Sequence, residues 1–365
     1  MPRRPVLLLC LNRATWGEAH IARSLVRDLS SLGRPCRILA HASSASVFPR
    51  ARLFADAEGP RLLHLIGDLV RRERPAALVL ADAFTATGTL SLFGLDPAGL
   101  RNFEVPLAAL DPWDVEESGV TMDVFDGRRY ELPRWVREIP IRLRPVPLLR
   151  PEGPGRCRWL ALRKPAILKD ARSVLFCTSR WQQGPFGRPA GARLAAALPR
   201  RIVEALRRAG PDLRLIHVGP QPLEAGAALG RRYVWQPPCP PSAFARLLRS
   251  AGLLLTANLP STVVGEALLS GIPVLALEGR RARPHYPFAV WPLGLAAFTA
   301  PLWKDNPLLE AVRRVDWMDG PALVDSLRTL LCDSSERRAL RQGQMSYARR
   351  VAALPTSGRL LEDGL

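Results

Sequence analysis

Apolar positions recur along this chain with two alternating periods. Short, mostly apolar runs at Pro5 to Leu11, Arg37 to Ala40, Ala77 to Ala81, Ser173 to Cys177, Leu213 to Val218, Leu253 to Thr256 and Val274 to Leu277 suit strands covered on both faces. Helical spacing lies between them. Glu18 to Leu32 carries Ile21, Leu25, Val26 and Leu29 on one face before Gly33, and Leu62 to Arg72, about Ala192 to Arg208, and Phe244 to Ser250 are also helix-like. Pro321 to Leu331, striped by Leu323, Leu327, Leu330 and Leu331, and Ser335 to Val351 close the pattern. Strands alternating with helices predict parallel sheets, and 365 residues allow two such domains.

One stretch, SAGLLLTANLPSTVVGEALLSGIPVLAL from Ser250 to Leu277, has a special residue at each junction. Ala257 to Pro260 end a strand, Ser261 or Thr262 caps a helix with Glu266 expected in its first turn, Gly271 stops it, and Pro273 opens the next apolar run. In an open parallel sheet, ligands bind beyond the carboxyl ends of the strands, where helix N-termini point. Ser261, Thr262 and the neighbouring amides suit phosphate oxygens there, and Glu266 suits a pair of ribose hydroxyls. The plain alternative is a cap and a solvated acid.

Composition narrows the function classes. The formal charge of +19 comes almost entirely from arginine, since Lys164, Lys169 and Lys304 are the only lysines. Such a surface suits anionic partners, including a nucleotide diphosphate or a membrane surface. Neither zinc-finger spacing nor a basic helix with interleaved aromatics is present, which argues against sequence-specific nucleic-acid binding. The six cysteines are scattered with no CxxC pair, which favours a reducing compartment. The N-terminal apolar run is interrupted by Asn12 and Arg13 before any cleavage pattern, so a cytoplasmic location is expected.

The run STVVGEALLSGIPVLAL resembles the nucleotide-sugar signature of GT-B glycosyltransferases of the MurG-like and UDP-glycosyltransferase types, at Ser261, Thr262, Glu266, Gly271 and Pro273. The resemblance implies two doubly wound Rossmann-like parallel-sheet domains facing a central cleft, with Glu266 on the ribose and the preceding loop on the diphosphate. It implies further donor contacts. YVWQPPCPP is similar to the segment facing the nucleobase, where Trp235 stacks on the base or fills core. The loop SRWQQGPFGRPAG brings Arg180 to the diphosphate with Gly184 and Gly187. The loop EGRRARPHYPFAV places Arg280 and His285 where the family reads the sugar; its lack of an amide pair leaves the sugar open and permits a charged donor.

At the N-terminus, CLNRATWGEAHIARSLVRDLSSLG resembles the family's opening loop, in which a histidine enters the first helix. Here it is His20, with Gly17 three residues before it instead of adjoining it. The resemblance implies a base that deprotonates the acceptor hydroxyl; the alternative is a helix-start histidine with no such task. A histidine base needs a carboxylate to orient it, and two candidates end predicted strands: Asp82 after LVLA, and Asp111 after VPLAAL, which is slightly preferred. Either could instead form a turn. Trp113 and the acids Asp114, Glu116 and Glu117 beside Asp111 suit a planar or cationic acceptor.

The expected organisation is an acceptor-side domain over 1–150, a Pro- and Gly-rich linker over 151–170, a nucleotide-sugar domain over 171–331, and a C-terminal helical segment over 332–365 that crosses back. Throughout Arg142 to Arg163 the prolines and glycines are expected to resist sheet pairing. The implied function is inverting, metal-independent transfer of a sugar from a nucleotide-sugar to an unidentified acceptor in bacterial biosynthesis, with no cofactor. The alternatives are a nucleotide-sugar epimerase and a noncatalytic partner protein in a biosynthetic complex.

Overall fold

The structure, a computed structural model, describes residues 3–13, 17–112, 121–124, 128–147, 150–160, 170–178, 189–259, 261–278 and 305–365. The chain divides into two units, Met1–Ala161 with Val351–Leu365, and Leu162–Arg350. Among the described residues each unit carries one extended parallel sheet.

Unit 1 contains β1 (Val6–Cys10), α1 (Gly17–Ser31), β2 (Cys36–His41), β3 (Arg52–Phe54), α2 (Leu62–Glu73), β4 (Ala77–Leu80), α3 (Ala83–Leu92) and β5 (Leu107–Leu110). A hairpin of β6 (Thr121–Val124) and β7 (Arg128–Glu131) follows, then β8 (Ile141–Val146) and β9 (Arg156–Arg158). The strand order is β3-β2-β1-β4-β5-β8-β9, all parallel. Every residue of β1 and β4 is buried, because helices cover both faces of a doubly wound sheet. Ile21, Leu25 and Leu29 of α1 enter the same core as Val6, Leu8 and Cys10, so the helical period of the sequence becomes the packing face.

The stretch Arg142 to Arg163 departs from expectation. It supplies β8 and β9, joined through Arg144 N donating to Gly155 O at 2.7 Å. Leu143, Val146, Cys157 and Trp159 are buried there, and burial of those side chains outweighs the local resistance of Pro145 and Pro147.

Unit 2 contains β10 (Asp170–Cys177), α4 (Pro189–Ala209), β11 (Arg214–Val218), β12 (Tyr233–Gln236), α5 (Pro241–Ser250), β13 (Ala251–Thr256), α6 (Thr262–Leu269), β14 (Val274–Glu278), β15 (Arg313–Asp316) and α7 (Gly320–Cys332). The order β12-β11-β10-β13-β14-β15 is again wholly parallel. Leu323, Leu327, Leu330 and Leu331 of α7 join the core with Leu253 and Leu255 of β13. Gly271, at φ +67°, lets Ile272 N reach back to Ala267 O at 3.0 Å and turn the chain from α6 into β14.

Helix α8 (Ser334–Ala352) is tied to unit 2 where Gln344 Nε2 donates to Ile272 O at 2.9 Å. After Val351 the chain belongs to unit 1, and α9 (Ser357–Gly364) packs against α1. Arg34 Nε and Nη2 donate to the two carboxylate oxygens of Glu362 at 2.5 and 2.7 Å, and these bonds hold Glu362 below its usual range. Stability from a carboxyl depressed in this way is present above its ordinary value of 4.5 and lost as pH falls through the lower folded value. Glu362→Gln is therefore expected to lower unfolding stability by about 1–2 kcal/mol at neutral pH. The difference from wild type should shrink in thermal melts below pH 4.5. Among the described residues no helix is long and apolar enough to cross a membrane.

Candidate functional site

In a doubly wound sheet the ligand crevice opens where the strand order reverses, beyond the carboxyl ends of the strands. That point lies between β10 and β13 in unit 2 and between β1 and β4 in unit 1.

In unit 2 the carboxyl end of β13 runs into α6. Thr256 Oγ1 accepts from Asn258 N at 3.0 Å and donates to Asn258 O at 3.1 Å, which closes the turn; Ser261 N donates to the same carbonyl at 3.1 Å. Ser261 is the cap, its hydroxyl oxygen accepting from Val263 N, and Thr262 is the first helical residue. Glu266 is consequently the fifth residue of α6, in its second turn and not its first, so the helix dipole does little for its charge. It is half-buried there.

Two strands beyond β10, Trp235 ends up on β12, 39% exposed as a residue, with its Nε1 donating to Gly219 O at 2.9 Å. The indole is thus exposed and held by its own N–H, and it does not fill core. Gly219 has no room for a side chain. A Cβ there would sit 2.3 Å from Thr178 Oγ1 and 2.7 Å from His217 Nε2.

In unit 1, His20 lies in the first turns of α1, just beyond the end of β1. Burial first, then the charge of Arg23, pushes its imidazole down to about 4, so it is neutral at pH 7. Among the described residues the His20 ring makes no hydrogen bond, and neither aspartate is joined to it. Asp82 caps α3, accepting from Phe84 N at 2.8 Å and Thr85 N at 3.1 Å. Asp111 forms an ion pair with Arg142 of the adjacent strand β8.

A family profile described as "Family of unknown function (DUF6365)" matches residues 25–166, 161–283 and 275–363. The chain belongs to DUF6365. No curated protein matches the sequence. Solved structures do. Spinosyn forosaminyltransferase SpnP is similar at TM-score 0.59 and 14% identity over 99% of this chain and 98% of that one. A protein described as "putative UDP-N-acetylglucosamine 2-epimerase from Listeria monocytogenes" is similar at TM-score 0.57 and 17% identity over 99% and 94%. Glycosyltransferase VinC in complex with dTDP follows at TM-score 0.51 and 13% identity over 99% and 98%. At these identities the likeness is one of fold, and this DUF6365 chain has the GT-B fold of paired parallel-sheet α/β domains.

Arg180, Arg280 and His285, with Trp113, Asp114, Glu116, Glu117, Gly184 and Gly187, lie outside the described residues. The structure of this DUF6365 chain also shows groups that the sequence did not single out. Asn12 Nδ2 donates to the buried Glu18 at 2.8 Å, and Arg13 grips Asp56 with Nε and Nη2 at 2.8 and 2.7 Å. Asp56 in turn meets His41 Nε2 at 3.0 Å, while His41 Nδ1 meets Ser43 Oγ at 2.8 Å. These hydrogen bonds hold Asp56 below its usual range, with Arg13 the larger cause. The available signal was positional: Asn12, His41 and Asp56 each fall at or just after the end of a strand. Among the described residues no group of three or more His, Cys, Asp or Glu side chains is placed to hold a metal ion.

Proposed function

We propose that this chain is an inverting, metal-independent glycosyltransferase that moves a sugar from a nucleotide-sugar donor to an acceptor hydroxyl in a bacterial biosynthetic pathway. The observation that carries the reading is the carboxyl edge of unit 2 within a GT-B fold. There an oriented, exposed Trp235 and a Ser261-capped helix bearing Glu266 stand on the ligand side of one sheet. Trp235 would stack on the base and Glu266 would accept from the ribose hydroxyls. Ser261, Thr262 and the loop amides would hold the diphosphate, joined by Arg180, while Arg280 and His285 would read the sugar.

In the proposed reaction the acceptor oxygen forms a bond to the anomeric carbon as the bond from that carbon to the diphosphate breaks. The electron pair leaves on the diphosphate, and the acceptor proton passes to neutral His20. Asp111 or Asp82 would orient His20 and stabilise its charged form in this step, although among the described residues Asp82 caps α3 and Asp111 pairs with Arg142. All six cysteines are free, which supports a reducing, cytoplasmic setting.

The reading is tested by incubating the protein with UDP-, dTDP- and GDP-sugars, with and without a panel of hydroxylated acceptors, and following the anomeric resonances. Nucleoside diphosphate and an inverted glycoside should appear only when an acceptor is present. Isomerisation of the nucleotide-sugar without acceptor would make the protein an epimerase. The absence of any carboxylate bonded to His20 among the described residues favours a second reading, a noncatalytic partner protein. That reading expects nucleotide binding with no turnover until another protein is supplied.

A further inference from the structure

A second histidine, His217, sits at the carboxyl end of β11 and is fully buried, with both ring nitrogens engaged. Nδ1 lies 3.1 Å from the hydroxyl of Tyr233, and Nε2 lies 2.8 Å from Thr178 Oγ1. Leu223 N donates to the same Tyr233 oxygen at 2.7 Å.

This chain of bonds has a direction. The Leu223 amide can only donate, so it occupies one lone pair of the tyrosine oxygen, and among the described residues His217 Nδ1 is the acceptor within reach of the phenolic proton. Burial pushes His217 down to about 4, so the ring is neutral and carries one proton. With Nδ1 accepting, that proton is on Nε2 and is donated to Thr178 Oγ1; the tautomer is assigned from the hydrogen-bond network. Thr178 therefore accepts from the histidine, and among the described residues its own hydroxyl proton has no acceptor.

Thr178 immediately follows β10, the strand at the reversal of sheet order, and its own N–H is fixed to Val218 O at 2.9 Å. Gly219 clears the space between Thr178 and His217. Trp235 stands two strands away, roughly 10 Å at ordinary strand spacing. A nucleoside stacked on that indole and extended toward the reversal point at β10 would bring its first phosphate within reach of the Thr178 hydroxyl.

We propose that His217 is a positioning residue of the nucleotide site: through Nε2 it turns the Thr178 hydroxyl into a fixed donor for a phosphate oxygen of a nucleoside diphosphate. The proposal rests on the nucleotide-sugar reading of unit 2. It adds that phosphate affinity depends on a buried relay running from Leu223 through Tyr233 and His217.

Calorimetry with UDP, dTDP and GDP, each beside its nucleoside, tests it on wild type, Thr178→Val, Thr178→Ser, His217→Phe and the Thr178→Val/His217→Phe pair. Thr178→Val should weaken the diphosphate by about tenfold or more and leave the nucleoside unchanged, and Thr178→Ser should restore binding. His217→Phe should reproduce the Thr178→Val loss, and the double variant should be no worse than either single one. Diphosphate binding by Thr178→Val at the wild-type level overturns the inference alone. So does an equal loss of nucleoside and diphosphate in His217→Phe, which would mark mere packing. If His217→Phe does not fold, the threonine pair still decides the donor role, and 15N resonances of His217 in wild type decide the tautomer. Failure of wild type to bind any of the three diphosphates overturns the nucleotide-sugar reading and this inference with it.

Discussion

His20→Ala should lower turnover by about a hundredfold to ten-thousandfold, the usual contribution of a positioned base, with nucleotide-sugar affinity nearly unchanged. The split follows from the proposed division of labour, since the donor contacts come from unit 2 while His20 belongs to unit 1. A pH profile adds a sharper expectation. A base must be unprotonated to act, and burial has moved His20 from 6.5 to about 4. The acid limb of kcat/KM should therefore fall near pH 4, and the wild-type rate should be flat through pH 6.5 where an exposed histidine would begin to fail. A shifted base is also a weak one, so a carboxylic-acid limb that survives in His20→Ala, together with retained turnover, would remove the histidine from the mechanism.

Glu266→Ala carries the second large effect. A carboxylate that accepts from two ribose hydroxyls makes charge-assisted bonds, and its loss should weaken nucleotide and nucleotide-sugar alike by about tenfold to a hundredfold. Glu266→Gln should keep part of the affinity, because the amide oxygen still accepts one bond. Glu266 is half-buried in the second turn of a helix whose core contacts come from Val264, Ala267 and Leu268, so melting temperature should change little. Comparing 2′-deoxy with ribose nucleotides checks the cause: the deoxy ligand should lose less on mutation than the ribose ligand.

The parts of the fold that were legible in the sequence are those where one local pattern decides. β1 and β13 are continuous apolar runs, α1 shows its face at Ile21, Leu25 and Leu29, and Ser261 and Gly271 bracket α6. Residues 142–163 misled because their prolines speak locally, whereas the burial of Trp159 and Cys157 is a tertiary matter. Glu266 was placed one turn early because Ser261 and Thr262 are equally good caps by type, and only backbone geometry shows where the helix lies. The His217 relay was invisible for a different reason. It joins Thr178, Leu223 and Tyr233 across three neighbouring strands and their connections, and strand order is not written in periodicity. His41 and Asp56 were hidden in the same way, each looking like an ordinary residue at a strand end until β2 and β3 pair.

The most direct test of the central claim is a ligand-observed NMR screen of the purified chain against UDP-, dTDP- and GDP-sugars, repeated with Glu266→Ala. Selective saturation of one nucleotide-sugar by wild type, lost in the variant, is the predicted result and names the base. No binding at millimolar concentration, or binding that Glu266→Ala leaves untouched, would contradict the assignment of this site to a nucleotide-sugar donor.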